Sequence, residues 1–282
     1  MLSLANPAFI TQPPRDLAAW ARRFDLAALP VLERTADAIE AMRENQDAVD
    51  AHLIAETIDS DPLMTLKVLG HVAKLRSGRE GGNIETATEA LVMLGITPFF
   101  NTFDRQATVD DVLQDEPAAL QGFRAVITRT RRAANFAMAF AVHRMDHDAA
   151  VIHEAALLHD FAEMLLWLHA PALALDIQQR QAIDPELRSA DAQQAVLGIV
   201  LADLQQWLMR QWKLPELLVR ITDQRQAEAA QVRNVLLAIR VARHSAAGWD
   251  NAALPDDVNE VADLLSLGVA PTWRLLRQID EE

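Results

Sequence analysis

The chain has 282 residues, of which 51% are hydrophobic, and it carries a formal net charge of −14 and no cysteine. So acidic a chain is poorly suited to bind nucleic acid or anionic lipid, since both need clustered Lys and Arg. The absence of cysteine excludes disulfides, thiolate nucleophiles and cysteine-ligated zinc. Glycine and proline are scarce, with 9 and 12 residues, and the composition favours helix. We therefore predict an all-α protein with enough apolar residues for one large domain or two modest ones.

The N-terminal stretch MLSLANPAFITQPPRDLAAW lacks the charged start, apolar block and cleavage site of a signal peptide. No apolar run approaches the roughly 20 residues that a membrane-spanning helix needs. We therefore expect a cytoplasmic protein that does not associate with a membrane.

Helix-start signals recur in the first third of the chain. Pro30 suits the first helical position of LPVLERTADAIEAM, because the N–H that proline lacks has no helical partner there. Asp61 is predicted to be the N-cap of a second helix, which begins at Pro62. That helix carries an apolar stripe at helical spacing, formed by Leu66, Leu69, Val72 and Leu75.

A third helix is predicted after residue 85. Thr86 and Glu89 match a capping box at its start, and Gly95 is predicted to end it. The segment RSGREGGN, residues 76–83, is predicted to be a loop. The acidic and weakly patterned segment 108–120 is where we place a boundary between two helical lobes.

Long helical patterns fill the rest of the chain, interrupted by the loop GWDNAALPDD near its end. The predicted helices cover residues 118–143, 148–169, 171–182, 186–211, 215–227, 230–246, 256–266 and 271–279.

The predicted helix 148–169 carries three polar residues, His159, Asp160 and Glu163, inside the apolar stretch AALLHDFAEMLLW. On a single helix, residues 159 and 163 would lie one turn apart on the same face. Apolar residues cover nearly every other direction, so the helix is predicted to be buried all round. Burial of these polar groups without partners would cost several kcal/mol, so a metal, an arginine or backbone carbonyls must satisfy them.

The segment with these residues, and several other segments of the chain, resemble known sequence motifs. LLHDFAEMLLW resembles the HD segment of HD-superfamily proteins, and the N-terminal lobe resembles the first half of the HDOD domain, the HD-related output domain of bacterial signalling proteins. The matching pieces there are LPVLERTADAIEAM, DSDPLMTLKVLGHVAKL and IETATEALVMLGI. QQWLMRQWKLPELLVRI is similar to the family's W.LP helix pair, so the resemblance extends over residues 28–227.

The resemblance implies an HDOD-type helical fold with an N-terminal helical lobe packed on an HD-like helical lobe. The expected organisation is an N-terminal extension at 1–27, the N-terminal lobe at 28–115, the HD-like lobe at 116–230 and a C-terminal helical extension at 231–282.

The chain departs from the metal-binding members of the superfamily at several positions. Residues 127–140, ITRTRRAANFAMAF, lack the first histidine, Leu201 stands at or near a later histidine, and TDQ at 222–224 replaces a pair of histidines. Ala162 and Glu163 replace the glycine and lysine of the HD segment. The resemblance implies that His159 and Asp160 are vestigial metal-site positions. We expect no catalytic residue, no metal and no cofactor.

Arginines on the helix that lacks the histidine suggest another partner for Asp160. We hypothesise that Arg129, Arg131 or Arg132 replaces the metal, because a guanidinium can bind a carboxylate through two parallel hydrogen bonds. Glu163 would then pair with His159 or with a second arginine.

The remaining histidines and the tryptophans have simpler interpretations. His143 and His147 are spaced as on a zinc-binding helix, but HRMDHD is typical of a surface connection between helices. His169 is predicted to end a helix as an imidazolium that interacts favourably with the helix dipole. The tryptophans at positions 167, 207 and 212 are predicted to pack in the core.

Three classes of function follow. The resemblance implies a non-catalytic signalling or scaffold module that acts through contacts with other signalling proteins. We expect it not to bind nucleic acid. It could form a homo-oligomer. The alternative is a divergent metal-dependent phosphohydrolase of the HD type, acting on nucleotides or second messengers. A ligand-binding sensor that kept the pocket but lost the chemistry is a third possibility.

Overall fold

The computed structural model describes residues 9–76 and 84–281, and these residues form two compact units. Within the described residues, unit 1 contains 9–76, 87–126 and 160–213, and unit 2 contains 84–86, 127–159 and 214–281. The predicted all-α class is confirmed: the described residues form helices, and the β-structure among them is an isolated bridge between Val31 and Thr108.

Unit 1 contains the helices of the first part of the chain and four from its middle. They are α1 Leu17–Ala21, α2 Glu33–Arg43, α3 Ala51–Ile58, α4 Pro62–Arg76, α5 Ala87–Leu94, α6 Ile96–Thr102, α7 Val109–Val112, the first part of α8 Pro117–His143, and then α10 Phe161–His169, α11 Pro171–Ile183, α12 Ser189–Leu197 and α13 Leu201–Gln211.

Unit 2 contains the rest of α8 and the helices of the C-terminal part of the chain. They are α9 Ala149–Leu157, α14 Glu216–Ile221, α15 Ala230–His244, α16 Leu254–Leu265 and α17 Val269–Glu281. Short 3₁₀ helices lie at Leu26–Ala28, Gln46–Ala48 and Gln224–Gln226.

The compact units differ from the linear division expected from the sequence. Helix α10 packs on α11 and α13, and α13 packs on α1, so residues 160–213 group with the N-terminal helices. Helix α9 instead packs on α14 and α15, which joins the C-terminal extension to unit 2. The N-terminal extension is also anchored within unit 1, because the buried Trp20 donates a hydrogen bond from Nε1 to the carbonyl of Leu197 at 3.2 Å.

The prediction that Pro30 begins a helix is wrong. Its neighbour Val31 is extended and donates its N–H to the carbonyl of Ala107 at 2.9 Å, while its own carbonyl accepts the N–H of Val109 at 2.9 Å. These bonds hold the backbone in an extended conformation, and α2 begins only at Glu33.

The predicted N-cap of α4 is confirmed. Asp61 is fully buried, and its Oδ1 accepts the N–H groups of Leu63 and Met64 at 3.0 and 3.1 Å. Its Oδ2 accepts the N–H of Leu32 at 2.9 Å, so the same carboxylate also fixes the start of α2. Asp61 therefore joins two helix starts through hydrogen bonds to their backbone N–H groups.

Lys67, two turns into α4, is a buried cation of unit 1. Its Nζ donates to the carbonyl of Leu29 at 2.6 Å and to Oε1 of Gln106. Burial lowers the pKa of Lys67 to about 8, because desolvation disfavours the charged ammonium. In the apolar stripe of α4, Leu66, Leu69 and Val72 are buried, whereas Leu75 is 46% exposed and departs from the prediction.

Helix α5 begins directly after Thr86 and ends before Gly95, as predicted, and Gly95 has the positive φ of 82° that favours glycine. Residues 77–83 of the predicted loop lie outside the described residues, and Arg76 is still in α4.

Three long predicted helices are divided. The predicted helix 148–169 is interrupted between α9 and α10, and 186–211 is interrupted at Gly198, whose φ is 70°. The predicted helix 215–227 is α14 followed by a 3₁₀ helix. Glycine in the left-handed conformation explains the second break. The first break, between Leu157 and Phe161, has no glycine or proline, and it contains the HD residues.

Among the described helices, none combines the length and the apolar content that crossing a membrane would require.

Candidate functional site

The HD residues lie at the junction of α9 and α10 rather than inside a helix. Helix α9 ends at Leu157, and α10 begins at Phe161 with Asp160 at its N-cap position. The carbonyl of Asp160 accepts the N–H groups of Glu163 and Met164 at 3.0 and 3.2 Å, but its side chain makes no capping bond. The prediction of one continuous helix is therefore wrong, and the helical spacing of residues 159 and 163 does not apply.

His159 is buried, with 8% of its surface exposed, and its ring contacts a residue of the same unit. The amide Nε2 of Gln224 lies 3.1 Å from the Nε2 of the imidazole. The two nitrogen atoms are within hydrogen-bonding distance, and both residues belong to unit 2. The structure thus brings together the first residue of the HD pair and the last residue of TDQ, where the resemblance implies histidines.

The segment that carries Gln224 is held by its own hydrogen bonds. Asp223 is buried, and its Oδ1 accepts the N–H and the Nε of Arg225 at 3.2 and 2.9 Å. This carboxylate caps the 3₁₀ helix Gln224–Gln226 and thereby fixes the position of the Gln224 amide. We identified Gln224 from sequence only as part of a departure from the family, and its contact with His159 was not predicted.

Arg132 is not available to Asp160. Its Nε and Nη2 bind the carboxylate of Asp280 at 2.6 and 2.9 Å, and Nη1 and Nη2 donate to the carbonyl of Ala242 and the hydroxyl of Ser245 at 3.0 and 2.7 Å. This corrects the hypothesis for one of its three arginines: the guanidinium is directed towards α15 and α17. Local sequence patterns do not predict this pairing, because Asp280 lies 148 residues from Arg132.

Arg129 and Arg131 lie on α8 in unit 2 and are partly buried. Asp160 and Glu163 are likewise partly buried, and they belong to unit 1. Pairing of either arginine with Asp160 stays a prediction, as does the pairing of Glu163 with His159 or with a second arginine.

A metal ion is what the HD superfamily implies for this position. Across residues 9–76 and 84–281, no three His, Asp or Glu side chains are grouped so that they could hold a metal ion. The Nε2 of His159 faces an amide, which is not a typical ligand of catalytic transition metals or zinc. That His159 and Asp160 are vestigial metal-site positions stays a prediction.

The other histidines have mixed outcomes. His143 and His147 are exposed in and beside the turn between α8 and α9, as predicted, whereas His153 is buried within α9. His169 ends α10 as predicted, but burial lowers its pKa to about 4. It is therefore a neutral imidazole at pH 7, and the predicted imidazolium is wrong because desolvation outweighs the helix dipole.

The three tryptophans differ in their burial. Trp167 is buried and Trp212 packs on Phe161 with the ring centroids 5.6 Å apart. Trp207 is 44% exposed, so the prediction of core packing is wrong for this residue.

Comparisons with known proteins agree with this fold. The HDOD domain model matches residues 29–228 of the chain. Among solved structures, the response regulator MmoQ from Methylococcus capsulatus str. Bath is 18% identical, with a TM-score of 0.68 over 88% of this chain and 98% of that one. A virulence factor from Campylobacter jejuni is 21% identical, with a TM-score of 0.59 over 84% of this chain and 85% of that one. A search of curated proteins finds no significant match.

Proposed function

The chain belongs to the HDOD domain family, and from this premise we propose that it is a non-catalytic bacterial signalling module that acts through contacts with other proteins. The HD position would serve as a structural junction between helices, and the output would be made by surfaces elsewhere on the molecule. The response regulator among the proteins of the same fold is consistent with a role in signal transduction.

The contact between Gln224 and His159 is the observation that carries the proposal. A histidine binds a metal through the lone pair of a ring nitrogen. The Nε2 of His159 is hydrogen-bonded to the side-chain amide of Gln224 at 3.1 Å, and the imidazole is buried. To ligate an ion through Nε2, His159 would have to lose this hydrogen bond, and no group of three ligands among the described residues would compensate for it.

Electrostatics supports the same proposal. Phosphohydrolases bind anionic substrates, which require positive charge at the site. Glu163, in the first turn of α10, places a carboxylate three residues from Asp160, and the whole chain carries a net charge of −14. These charges disfavour a nucleotide or phosphodiester ligand at the HD position.

Elemental analysis of the full-length protein tests the proposal. The protein would be expressed in medium supplemented with iron, manganese and zinc, purified without chelators, and compared with His159→Ala. We expect both proteins to contain far less than one ion per chain. We also expect that neither hydrolyses bis(p-nitrophenyl) phosphate in the presence of added Mn²⁺.

His147→Ala is the matched control, because this exposed histidine would account for adventitious surface binding. One equivalent of metal that is lost in His159→Ala but kept in His147→Ala would overturn the proposal. Hydrolysis with the same dependence on His159 would establish the phosphohydrolase instead.

A further inference from the structure

The last helix of the chain, α17, belongs to unit 2, where it makes one polar and one aromatic contact besides its packing on α16. Residues beyond the family match form α15, α16 and α17, and α17 packs on α16. The connection to α16 is short and contains Ser266, which has a φ of 55° in the left-handed region. A non-glycine residue in this conformation stores a small amount of strain at the point where α17 departs.

The polar attachment of α17 is Asp280 in its last turn. Arg132 on α8 binds both oxygens of this carboxylate, at 2.6 and 2.9 Å, and donates to Ala242 and Ser245 around α15. The two charged side chains are only 21% and 19% exposed, so the pair is well shielded. Bidentate geometry and partial burial make this ion pair stronger than an ordinary surface pair.

The aromatic attachment lies two turns earlier, at Trp273. Its ring meets Trp249 edge to face with centroids 6.1 Å apart, and Trp249 meets Phe136 in the same way at 6.4 Å. Phe136 is fully buried on α8, one turn after Arg132, whose guanidinium lies 6.0 Å from the ring centroid. We call the residues Arg132, Phe136, Ser245 and Trp249 the α17-binding surface.

Helix α17 itself contributes little to the core. Of its residues Val269–Glu281, Thr272 and Leu276 are the buried ones, and Val269 is 45% exposed. Helix α15 buries many more side chains: Val232, Asn234, Val235, Leu237, Ala238, Ile239, Val241 and Ala242. A helix with so few buried contacts opens at a lower free energy than the rest of its unit.

We propose that the α17-binding surface is a docking site for a helix of a partner protein and that α17 is its removable intramolecular occupant. The partner fitted to this surface is an amphipathic helix with an aromatic side chain and a carboxylate two turns apart. Its carboxylate would replace Asp280 on Arg132, and its aromatic ring would replace Trp273 on Trp249. This inference concerns a surface remote in sequence from the HD residues and does not depend on the proposed absence of catalysis.

The test uses the full-length chain and a fluorescein-labelled peptide with the sequence of residues 268–281. Asp280→Lys should detach α17, because a lysine beside Arg132 repels it. Hydrogen exchange should then be at least about tenfold faster in α17 and unchanged in α15. The peptide should bind Asp280→Lys at least about tenfold more tightly than the wild type, because the surface is no longer occupied.

Glu281→Lys is the matched control, since it makes the same charge change at the neighbouring exposed residue. It should exchange and bind peptide like the wild type. A peptide that carries asparagine in place of Asp280 should bind Asp280→Lys more weakly than the original peptide. Trp273→Ala provides a second release of α17 without a change of charge, should Asp280→Lys fail to fold.

Two results would overturn the inference. Equal protection of α17 in the wild type and in both variants would show that the helix is a permanent part of unit 2. Release of α17 without a gain in peptide binding would show that the surface beneath it accepts no helix in trans.

Discussion

In the described part of the chain, each unit completely buries one aspartate, and the two carboxylates have different kinds of neighbour. In unit 1, Asp61 accepts three backbone N–H groups, from Leu32, Leu63 and Met64. In unit 2, the carboxylate of Asp257 on α16 lies 2.5 Å from Nδ1 of His244 and 2.6 Å from Nη2 of Arg240, both on α15. Backbone donors hold the first carboxylate, and a guanidinium and an imidazole from another helix contact the second.

The two carboxylates differ in what their partners can do when the aspartate is removed. The partners of Asp61 are rigid backbone groups that cannot turn to water when the carboxylate is removed. The partners of Asp257 are partly exposed side chains, with 31% and 39% of their surfaces accessible, and they can be rehydrated. We therefore expect unit 1 to be more sensitive than unit 2 to loss of its buried aspartate.

The largest effect is expected for Asp61→Ala. Three backbone N–H groups lose their acceptor at two helix starts, and each buried donor left unsatisfied costs about 1–3 kcal/mol. We expect the free energy of unfolding to fall by about 4 kcal/mol, measured by urea denaturation followed by circular dichroism. Asp37→Ala, at an exposed position on α2, should change it by less than about 0.5 kcal/mol. Similar losses in the two variants would contradict the role assigned to Asp61.

A smaller effect is expected for Asp257→Ala, of about 2 kcal/mol, because Arg240 and His244 can turn towards solvent. Asp256→Ala is the matched control, since it removes the preceding carboxylate in the same first turn of α16. It should cost less than about 1 kcal/mol, the usual contribution of an acidic residue to a helix start. If Asp257→Ala were as damaging as Asp61→Ala, the contrast between the two units would be lost.

The smallest effect should appear only in acid and concerns His169 of unit 1. Its pKa in the folded protein is about 4, below the ordinary 6.5, so the unfolded chain binds a proton that the folded protein does not bind. The resulting stability is fully present above pH 6.5 and is lost as the pH falls towards 4. His169→Gln should reduce the decrease in unfolding free energy between pH 6.5 and 4.5 by about 2 kcal/mol. The exposed His52→Gln should leave the acid dependence unchanged, and an identical dependence in both variants would show that His169 is not the group responsible.

Local signals predicted the parts of the fold that depend on neighbouring residues. Asp61 before Pro62 marked a helix start correctly, and Gly95 marked a helix end, because both act within one turn of the chain. The helix start predicted at Pro30 is wrong because the neighbouring Val31 pairs with residues 107 and 109, which are distant in sequence. The helix break at Asp160 was missed because it contains neither glycine nor proline.

The candidate site was predicted less completely than the fold. The sequence identified His159 and the altered segment 222–224, but the contact of His159 with Gln224 joins residues 65 positions apart. Arg132 carried the right charge for a buried carboxylate, yet the structure pairs it with Asp280 on α17. Which acidic residue meets which arginine depends on the packing of helices, and periodicity does not report it.

By itself, the sequence determined the all-α class, the family resemblance and some helix ends, since composition, caps and apolar spacing act locally. Only the tertiary structure decided that α10 to α13 group with the N-terminal helices, that His169 is neutral and that α17 is anchored at Arg132. Burial and long-range ion pairs arise when distant segments exclude water together, and no short stretch of sequence contains that information.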